Sequence, residues 1–162
     1  MPRGTTFPTL KRTIALVGTA ALAGTTAADA VGQMRVPGQS EQVVSSMKIH
    51  IEVEGATITA TLDDSPAARD FASLLPLTLT LEDYNSTEKI SNLPRRLSIE
   101  GAPAGFDPSP GDLTYYAPWG NLAIFYRDFG YSRGLVKLGA IVSGGEALNV
   151  PGSVKVTIRP AT

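Results

Sequence analysis

Aromatic side chains crowd into one part of this chain, residues 111–134, which read GDLTYYAPWGNLAIFYRDFGYSRG. The whole chain has five Phe, five Tyr and one Trp. Seven of these residues lie in the stretch: Tyr115, Tyr116, Trp119, Phe125, Tyr126, Phe129 and Tyr131. Such rings either fill a core or line a binding site. Tyr and Trp suit a partly wet site because each has an apolar body and a polar tip.

The spacing within the stretch indicates which of these rings face a site. Alternate strand residues point to opposite faces, so NLAIFYR places Leu122 and Ile124 with the core and Phe125 beside Arg127 on the other face. PWGN reads as a tight turn, which brings Trp119 to a turn tip. Arg127 and Arg133 are candidates to hold a carboxylate or carbonyl among the rings. We predict a ligand site at this end, formed by Tyr116, Trp119, Phe125, Tyr126 and Arg127. Ordinary packing of aromatic residues at one end of a barrel is the alternative.

Two motifs with catalytic precedent lack their usual context. Residues 130–134, GYSRG, match G-x-S-x-G, but that motif needs a strand-to-helix elbow and the following LVKLGAIV reads as a strand. The only histidine, His50, precedes the serine, whereas the hydrolase order puts it last. Ser45-x-x-Lys48 opens a strand pattern, not the helix that S-x-x-K requires. The catalytic residues are therefore unknown, and the sequence favours a non-enzymatic role while leaving activity open.

Composition narrows the possible cofactors and partners. The chain has no cysteine, which excludes a thiol nucleophile, a thiolate metal site and a disulfide. His50 has no neighbouring cluster of ligand residues, so we predict neither a metal nor another cofactor. With 14 Lys and Arg against 15 Asp and Glu, the formal net charge is −1, which argues against a nucleic-acid partner.

The first thirty residues have the features of a secretory signal peptide. Arg3, Lys11 and Arg12 precede the apolar run TIALVGTAALAG, and Ala28–Ala30 fits an A-x-A cleavage site. The run is too short for a membrane span, which needs about 20 apolar residues. The predicted organisation is a signal peptide at 1–30, a flexible tether at 31–46 and a folded domain at 47–162.

This organisation predicts a periplasmic or secreted protein with no stable membrane span after cleavage. A translation start at Met47 would instead give a cytoplasmic domain. The oligomeric state cannot be read from the sequence.

Alternation of apolar and polar residues dominates after residue 46 and predicts β-strands. MKIHIEVE and ATITATL form a predicted hairpin, and LTLTLED, LTYYA, NLAIFYR, LVKLGAIV and SVKVTIR read as further strands. Ser65 and Pro66 begin a short helix, AARDFASLL, and GEAL reads as a single turn. Residues 85–112 read as a long loop region. Seven or eight strands with one good helix favour a closed antiparallel barrel, with a β-sandwich as the competing architecture.

The order of these segments carries a resemblance. The hairpin MKIHIEVEGATITATL is followed by DDSPAARDFASLLPLTLTLEDY, by the aromatic stretch running into LVKLGAI, and by VPGSVKVTIR. Together they resemble the small bacterial cyclophilin-like fold proteins over nearly all of residues 47–160. The resemblance implies a mainly β fold, a closed cyclophilin-like antiparallel β-barrel of about eight strands with one or two short helices. Most members of that family are uncharacterised, so it implies a fold and not a reaction.

True cyclophilins isomerise Xaa-Pro bonds with an arginine in a groove lined by Phe, Met, Gln, Trp and His. That set cannot be placed here, since the one histidine lies on the first strand and the only glutamines lie in the predicted tether. The first hypothesis is an exported cyclophilin-like domain that binds a peptide or small ligand at the aromatic end. The alternative is a diverged peptidyl-prolyl isomerase that uses Arg95, Arg96 or Arg127. A purely structural domain is the third possibility.

Overall fold

The folded part of the chain is built mainly from antiparallel strands. The structure is a computed structural model that describes residues 46–162. The predicted signal peptide and nearly all of the predicted tether therefore lie outside the described residues. The strands are β1 (Met47–Val53), β2 (Ala56–Leu62), β3 (Leu77–Tyr84), β4 (Glu88–Asn92), β5 (Gly105–Phe106), β6 (Asp112–Tyr116), β7 (Asn121–Phe125), β8 (Ser132–Arg133), β9 (Leu135–Ser143) and β10 (Val154–Pro160). The other secondary-structure elements of the described residues are one helix, α1 (Pro66–Ala72), and a 3-10 turn (Gly145–Leu148).

Eight of these strands close into a barrel in the order β1–β10–β3–β4–β7–β6–β9–β2, and each strand pairs antiparallel with its neighbours. Strands β5 and β8 pair only with each other and form a short ribbon beside the barrel. The predicted closed antiparallel barrel of about eight strands is confirmed, in preference to a sandwich. No helix among residues 46–162 is long and apolar enough to cross a membrane.

Alternate strand residues fill the barrel interior, as the period of two requires. In β1, Ile49 and Ile51 are fully buried, and Leu122 and Ile124 of β7 join the same cluster. Helix α1 packs against β2 and β9 and adds the fully buried Phe71 to this core. The predicted helix start is also confirmed, because the Ser65 side chain accepts a hydrogen bond from the Ala68 backbone N–H at 3.1 Å.

Strand β4 corrects the prediction of a continuous loop region over residues 85–112. Its sequence, EKISN, begins with two charged residues that hide the alternation. Lys89 is fully buried, which few lysines are unless their amino group has partners. Here the Nζ atom donates hydrogen bonds to the backbone oxygens of Val150 at 2.5 Å and Gly152 at 2.9 Å. These bonds tie β4 to the loop that precedes β10.

A second, smaller apolar cluster lies on the outside of the barrel wall. It consists of Ala123 and Phe125 of β7 together with Leu135 of β9, and Tyr116 and Phe106 pack against it. Since Leu122 and Ile124 fill the interior, the residues that alternate with them must face outward. The β5–β8 ribbon lies over part of this outer cluster. The wall formed by β4, β7, β6 and β9 thus carries apolar residues on both faces.

Candidate functional site

A groove of about 230 Å³ opens on the outer face of this wall. Residues from β3, β4, β6, β7, β8 and β9, from the β3–β4 and β6–β7 turns and from the segment after β7 line it. We call it the outer groove and define it by the aromatic side chains Tyr84, Tyr116, Trp119, Phe125 and Phe129 and the polar side chains Glu88 and Asn121.

The turn between β6 and β7 places Trp119 at the rim of the outer groove. Gly120 adopts a φ of +77°, which glycine reaches without strain, and its N–H donates to the Tyr116 carbonyl at 2.8 Å. Arg96 holds the turn from the side, because its Nη1 donates to the Ala117 carbonyl at 2.6 Å. The predicted tight turn is confirmed. Trp119 itself is 57% exposed, so it is not part of the core.

At one end of the groove, the Trp119 ring contacts two tyrosine rings, and its plane is nearly perpendicular to both. Trp119 contacts Tyr84 with the ring centroids 5.7 Å apart and the planes at 87°. It contacts Tyr116 with the centroids 5.3 Å apart and the planes at 85°. At the other end, Phe125 and Phe129 pack with their centroids 5.9 Å apart. Edge-to-face contacts of this kind are favourable and hold the rings in defined positions.

Glu88 is the acidic side chain of the outer groove. Strand pairing sets it opposite Tyr84 of β3 on one side and Phe125 of β7 on the other. Burial among these neighbours raises the pKa of Glu88 to about 7. Glu88 takes part in none of the ion pairs formed among residues 46–162. Near neutral pH the carboxyl group therefore exchanges between a hydrogen-bond donor and an anionic acceptor.

Asn121 supplies the second polar group. The residue is only 3% exposed, and its side-chain Oδ1 accepts no hydrogen bond from any group within residues 46–162. Its strand neighbours are Tyr116 on β6 and Asn92 on β4. An unsatisfied buried acceptor costs about 1–3 kcal/mol, and native structures contain few of them. A ligand that donates a hydrogen bond here would remove that cost.

Three of the five residues predicted for the site come together in the outer groove. Tyr116, Trp119 and Phe125 all line it. The predicted division of β7 between two faces accounts for this, since Phe125 faces outward while Ile124 faces the core.

Tyr126 and Arg127 lie on a different surface. Tyr126 donates a hydrogen bond from its hydroxyl to Asp83 Oδ1 at 2.6 Å. Burial, together with this hydrogen bond to Asp83, raises the pKa of Tyr126 to about 12. The Arg127 guanidinium lies 5.9 Å from the centre of the Tyr126 ring. Both residues border a polar depression of about 420 Å³ near Asn149, outside the outer groove.

Several residues of the outer groove were absent from the sequence prediction. Tyr84 and Glu88 flank the β3–β4 turn, far in sequence from the aromatic stretch, and they pair across it. Recognising β4 as a strand would have found them, because it sets Glu88 directly opposite Phe125. Asn121 belongs both to the predicted turn PWGN and to the predicted strand NLAIFYR, and nothing in its sequence context signals a buried amide without a partner.

Other parts of the described chain offer less chemistry. Within residues 46–162, no three His, Asp or Glu side chains are grouped closely enough to hold a metal ion. An apolar crevice of about 210 Å³ lies between α1, the segment before β5 and β9, and includes Pro66, Ala102 and Phe106. Its Lys137 is already paired with Asp112 at 3.0 Å. Because the crevice has no buried polar atom lacking a partner in the described region, we take the outer groove as the candidate site.

Comparisons with known proteins agree with this architecture. A family model described as the cyclophilin-like family matches residues 51–159. The solution structure of a hypothetical protein from Archaeoglobus fulgidus is similar, with a TM-score of 0.58 and 21% sequence identity. The alignment covers 75% of this chain and 99% of that one. At this identity the likeness shows the fold alone. A comparison with curated protein sequences gives no match.

Proposed function

The chain belongs to the cyclophilin-like family, and we propose that its barrel is a binding domain that holds a peptide or small ligand in the outer groove. One observation supports this proposal above all. A buried amide oxygen without a partner in residues 46–162 belongs to Asn121, which lines a groove with five aromatic side chains in its wall. Apolar grooves with a few convergent polar groups are typical of ligand sites.

The size of the groove sets the size of the ligand group. At about 230 Å³, the outer groove is smaller than most sites for drug-sized molecules. It therefore suits one side chain of a peptide or the head of a small molecule. The rings supply contact area, while Glu88 and Asn121 orient the ligand through hydrogen bonds.

The alternative is a diverged peptidyl-prolyl isomerase, which would need a guanidinium beside the prolyl nitrogen. The three candidate arginines have other contacts. Arg95 donates to Asp70 at 2.6 Å, Arg96 donates to the Ala117 carbonyl, and Arg127 lies over Tyr126. Of the described residues that line the outer groove, none is an arginine. These contacts favour binding over isomerisation as the proposed function.

The test is a nuclear magnetic resonance titration of the purified protein with short peptides, half of them containing Xaa-Pro bonds. We expect saturable shifts of the Trp119 indole signal, the only tryptophan signal in the chain, without cis–trans exchange. Replacing Asn121→Ala should weaken binding at least tenfold, whereas Asn149→Ala, an exposed residue outside the groove, should not. Exchange cross-peaks at substoichiometric protein would establish the isomerase instead. If the titration shows neither chemical-shift changes nor cis–trans exchange, both the binding function and the isomerase alternative are overturned.

We also propose that the protein is exported to the periplasm or beyond, on the pattern of residues 1–30. The test is amino-terminal sequencing of protein recovered from fractionated bacterial cells. Export predicts a mature chain that begins at Val31 in the periplasm or medium. A cytoplasmic protein that begins at Met1 or Met47 would contradict it.

A further inference from the structure

The outer groove has an electrostatic character that bears on its ligand. Aromatic rings carry negative charge on their faces and attract cations placed within about 6 Å of a ring centre. Tyr84, Trp119 and Tyr116 all line the groove, and both tyrosine planes stand nearly perpendicular to the Trp119 plane. An arrangement of three rings in this relation can enclose one group on several sides.

Of the described residues that line the groove, one is charged, Glu88. Glu88 is an acid, and the groove-lining residues in the described chain include neither Lys nor Arg. The nearest basic residue in sequence, Lys89, points into the barrel interior and donates to Val150 and Gly152. A cationic group would therefore meet attraction from the carboxylate and the rings. The basic side chain beside the groove, Arg96, already donates to the Ala117 and Pro118 carbonyls.

Asn121 adds a requirement for a hydrogen-bond donor. Its buried Oδ1 accepts nothing from residues 46–162, so a ligand with an N–H would satisfy it. The groove does not suit a hard metal ion, because such an ion needs about six oxygen ligands and the aromatic rings cannot supply them. A cation with carbon surface for the rings and an N–H for Asn121 meets all three conditions.

We propose that the outer groove binds a substituted ammonium group that retains at least one N–H. The inference rests on the proposed binding function and names its ligand class. The group can belong to a free alkylamine or to a methylated lysine side chain, since both present the same chemistry to the groove.

The experiment compares three small probes of similar shape by the fluorescence of Trp119, the only tryptophan. N,N-dimethylethanolamine at pH 8 is a cation with one N–H, choline is a cation without one, and 3,3-dimethyl-1-butanol is neutral. We expect dimethylethanolamine to bind about tenfold more tightly than the neutral alcohol, and choline to fall between them. Equal affinity of the alcohol would overturn the inference while leaving groove binding intact.

Variants separate the contributions. Glu88→Gln should abolish the preference for cations over the alcohol, and Asn121→Ala should abolish the preference for dimethylethanolamine over choline. Glu54→Gln removes the same charge from the exposed β1–β2 turn and should change neither. Circular dichroism confirms that each variant is folded. Persistence of both preferences in the groove variants would overturn the inference.

Two further comparisons distinguish a free amine from a methylated lysine, and failure of the ammonium inference from failure of the binding function. A peptide with dimethyllysine that binds more tightly than the free amine identifies a protein partner, and the reverse order identifies a small molecule; either result supports the inference. If no probe affects Trp119 but the peptides of the binding test do, the ammonium inference fails and the binding function stands. If none of these ligands affects Trp119, both fail.

Discussion

Glu88 and Lys89 are consecutive in β4, yet they face opposite sides of the barrel wall. Glu88 lines the outer groove, whereas Lys89 is fully buried and donates to backbone oxygens at one end of the barrel. The two adjacent side chains, of opposite charge, thus have different roles. One gives the groove its acidity and the other fastens a loop to the barrel. The two roles predict different results when each charge is removed.

Glu88 should make folding depend on pH. Its pKa rises from 4.5 in the unfolded chain to about 7 in the folded protein, so the folded state binds more protons between these values. The unfolding free energy should therefore fall as pH rises from 4.5 to 7, by about 1–2 kcal/mol after allowance for partial exposure. Urea unfolding at pH 5 and pH 8 measures this, and Glu88→Gln should remove the decline.

The groups around Glu88 do not mask this dependence. Strand pairing sets Tyr84 and Phe125 on either side of Glu88. The hydrogen bond from Tyr126, with Lys89 nearby, lowers the pKa of Asp83, so that carboxyl group titrates below the range of Glu88. The matched control is Glu54→Gln in an exposed turn, which should keep the decline. A Glu88→Gln variant with the pH dependence of the original protein would contradict the assignment.

Removing the Lys89 amino group should loosen the loop that precedes β10. Lys89→Met leaves the Val150 and Gly152 carbonyls without their donor and should cost about 2–3 kcal/mol of unfolding free energy. Amide hydrogen exchange should quicken over residues 149–153. Lys155→Met, at an exposed position of β10, should cost less than about 0.5 kcal/mol. Equal effects of the two substitutions would disprove the fastening role.

Trp119 should matter for binding and little for stability. Because its side chain is 57% exposed and packs edge-to-face on Tyr84 and Tyr116 at the groove rim, Trp119→Ala should cost about 1 kcal/mol or less. Phe71→Ala, at a fully buried position, should cost about 3–5 kcal/mol. Urea unfolding followed by far-ultraviolet circular dichroism compares them. A loss of 3 kcal/mol for Trp119→Ala would place it in the core instead.

Asp70 should stabilise the protein down to low pH. It accepts hydrogen bonds from Arg95 at 2.6 and 3.0 Å and from the Ser98 N–H at 2.7 Å, and these contacts, Arg95 first, lower its pKa to about 2. The contribution is complete above pH 3.8, the ordinary value, and is lost as pH falls through 2. Asp70→Asn should cost about 1–2 kcal/mol at pH 7 and almost nothing at pH 2.

An undiminished effect of Asp70→Asn at pH 2 would show that the charge is not responsible. Asp128→Asn, an exposed residue after β7, serves as the control and should show little effect at either pH.

The alternation of apolar and polar residues predicts more of the fold than of the site. Strands such as β1 and β10 have one apolar face, so the period of two is legible in the sequence. Strand β4 breaks that rule at Lys89, whose buried amino group is satisfied by carbonyls about sixty residues away. No local pattern contains that information, and without β4 the position of Glu88 cannot be derived.

The structure brings together those predicted site residues that one strand and one turn determine. Tyr116, Trp119 and Phe125 lie in a single hairpin, so alternation and turn geometry bring them together. Tyr126 follows the end of β7, where its hydroxyl meets Asp83, and alternation no longer fixes its direction. The remaining residues of the outer groove are therefore determined by the order of strands in the barrel, which the local sequence does not reveal.

The two faces of β7 also bear on how such a protein diverges. Leu122 and Ile124 fill the barrel, while Ala123 and Phe125 meet whatever enters the outer groove. Substitutions at the second pair would reshape the outer groove and its small apolar cluster without entering the barrel interior. One strand thus separates the residues that fill the barrel from those that shape the groove.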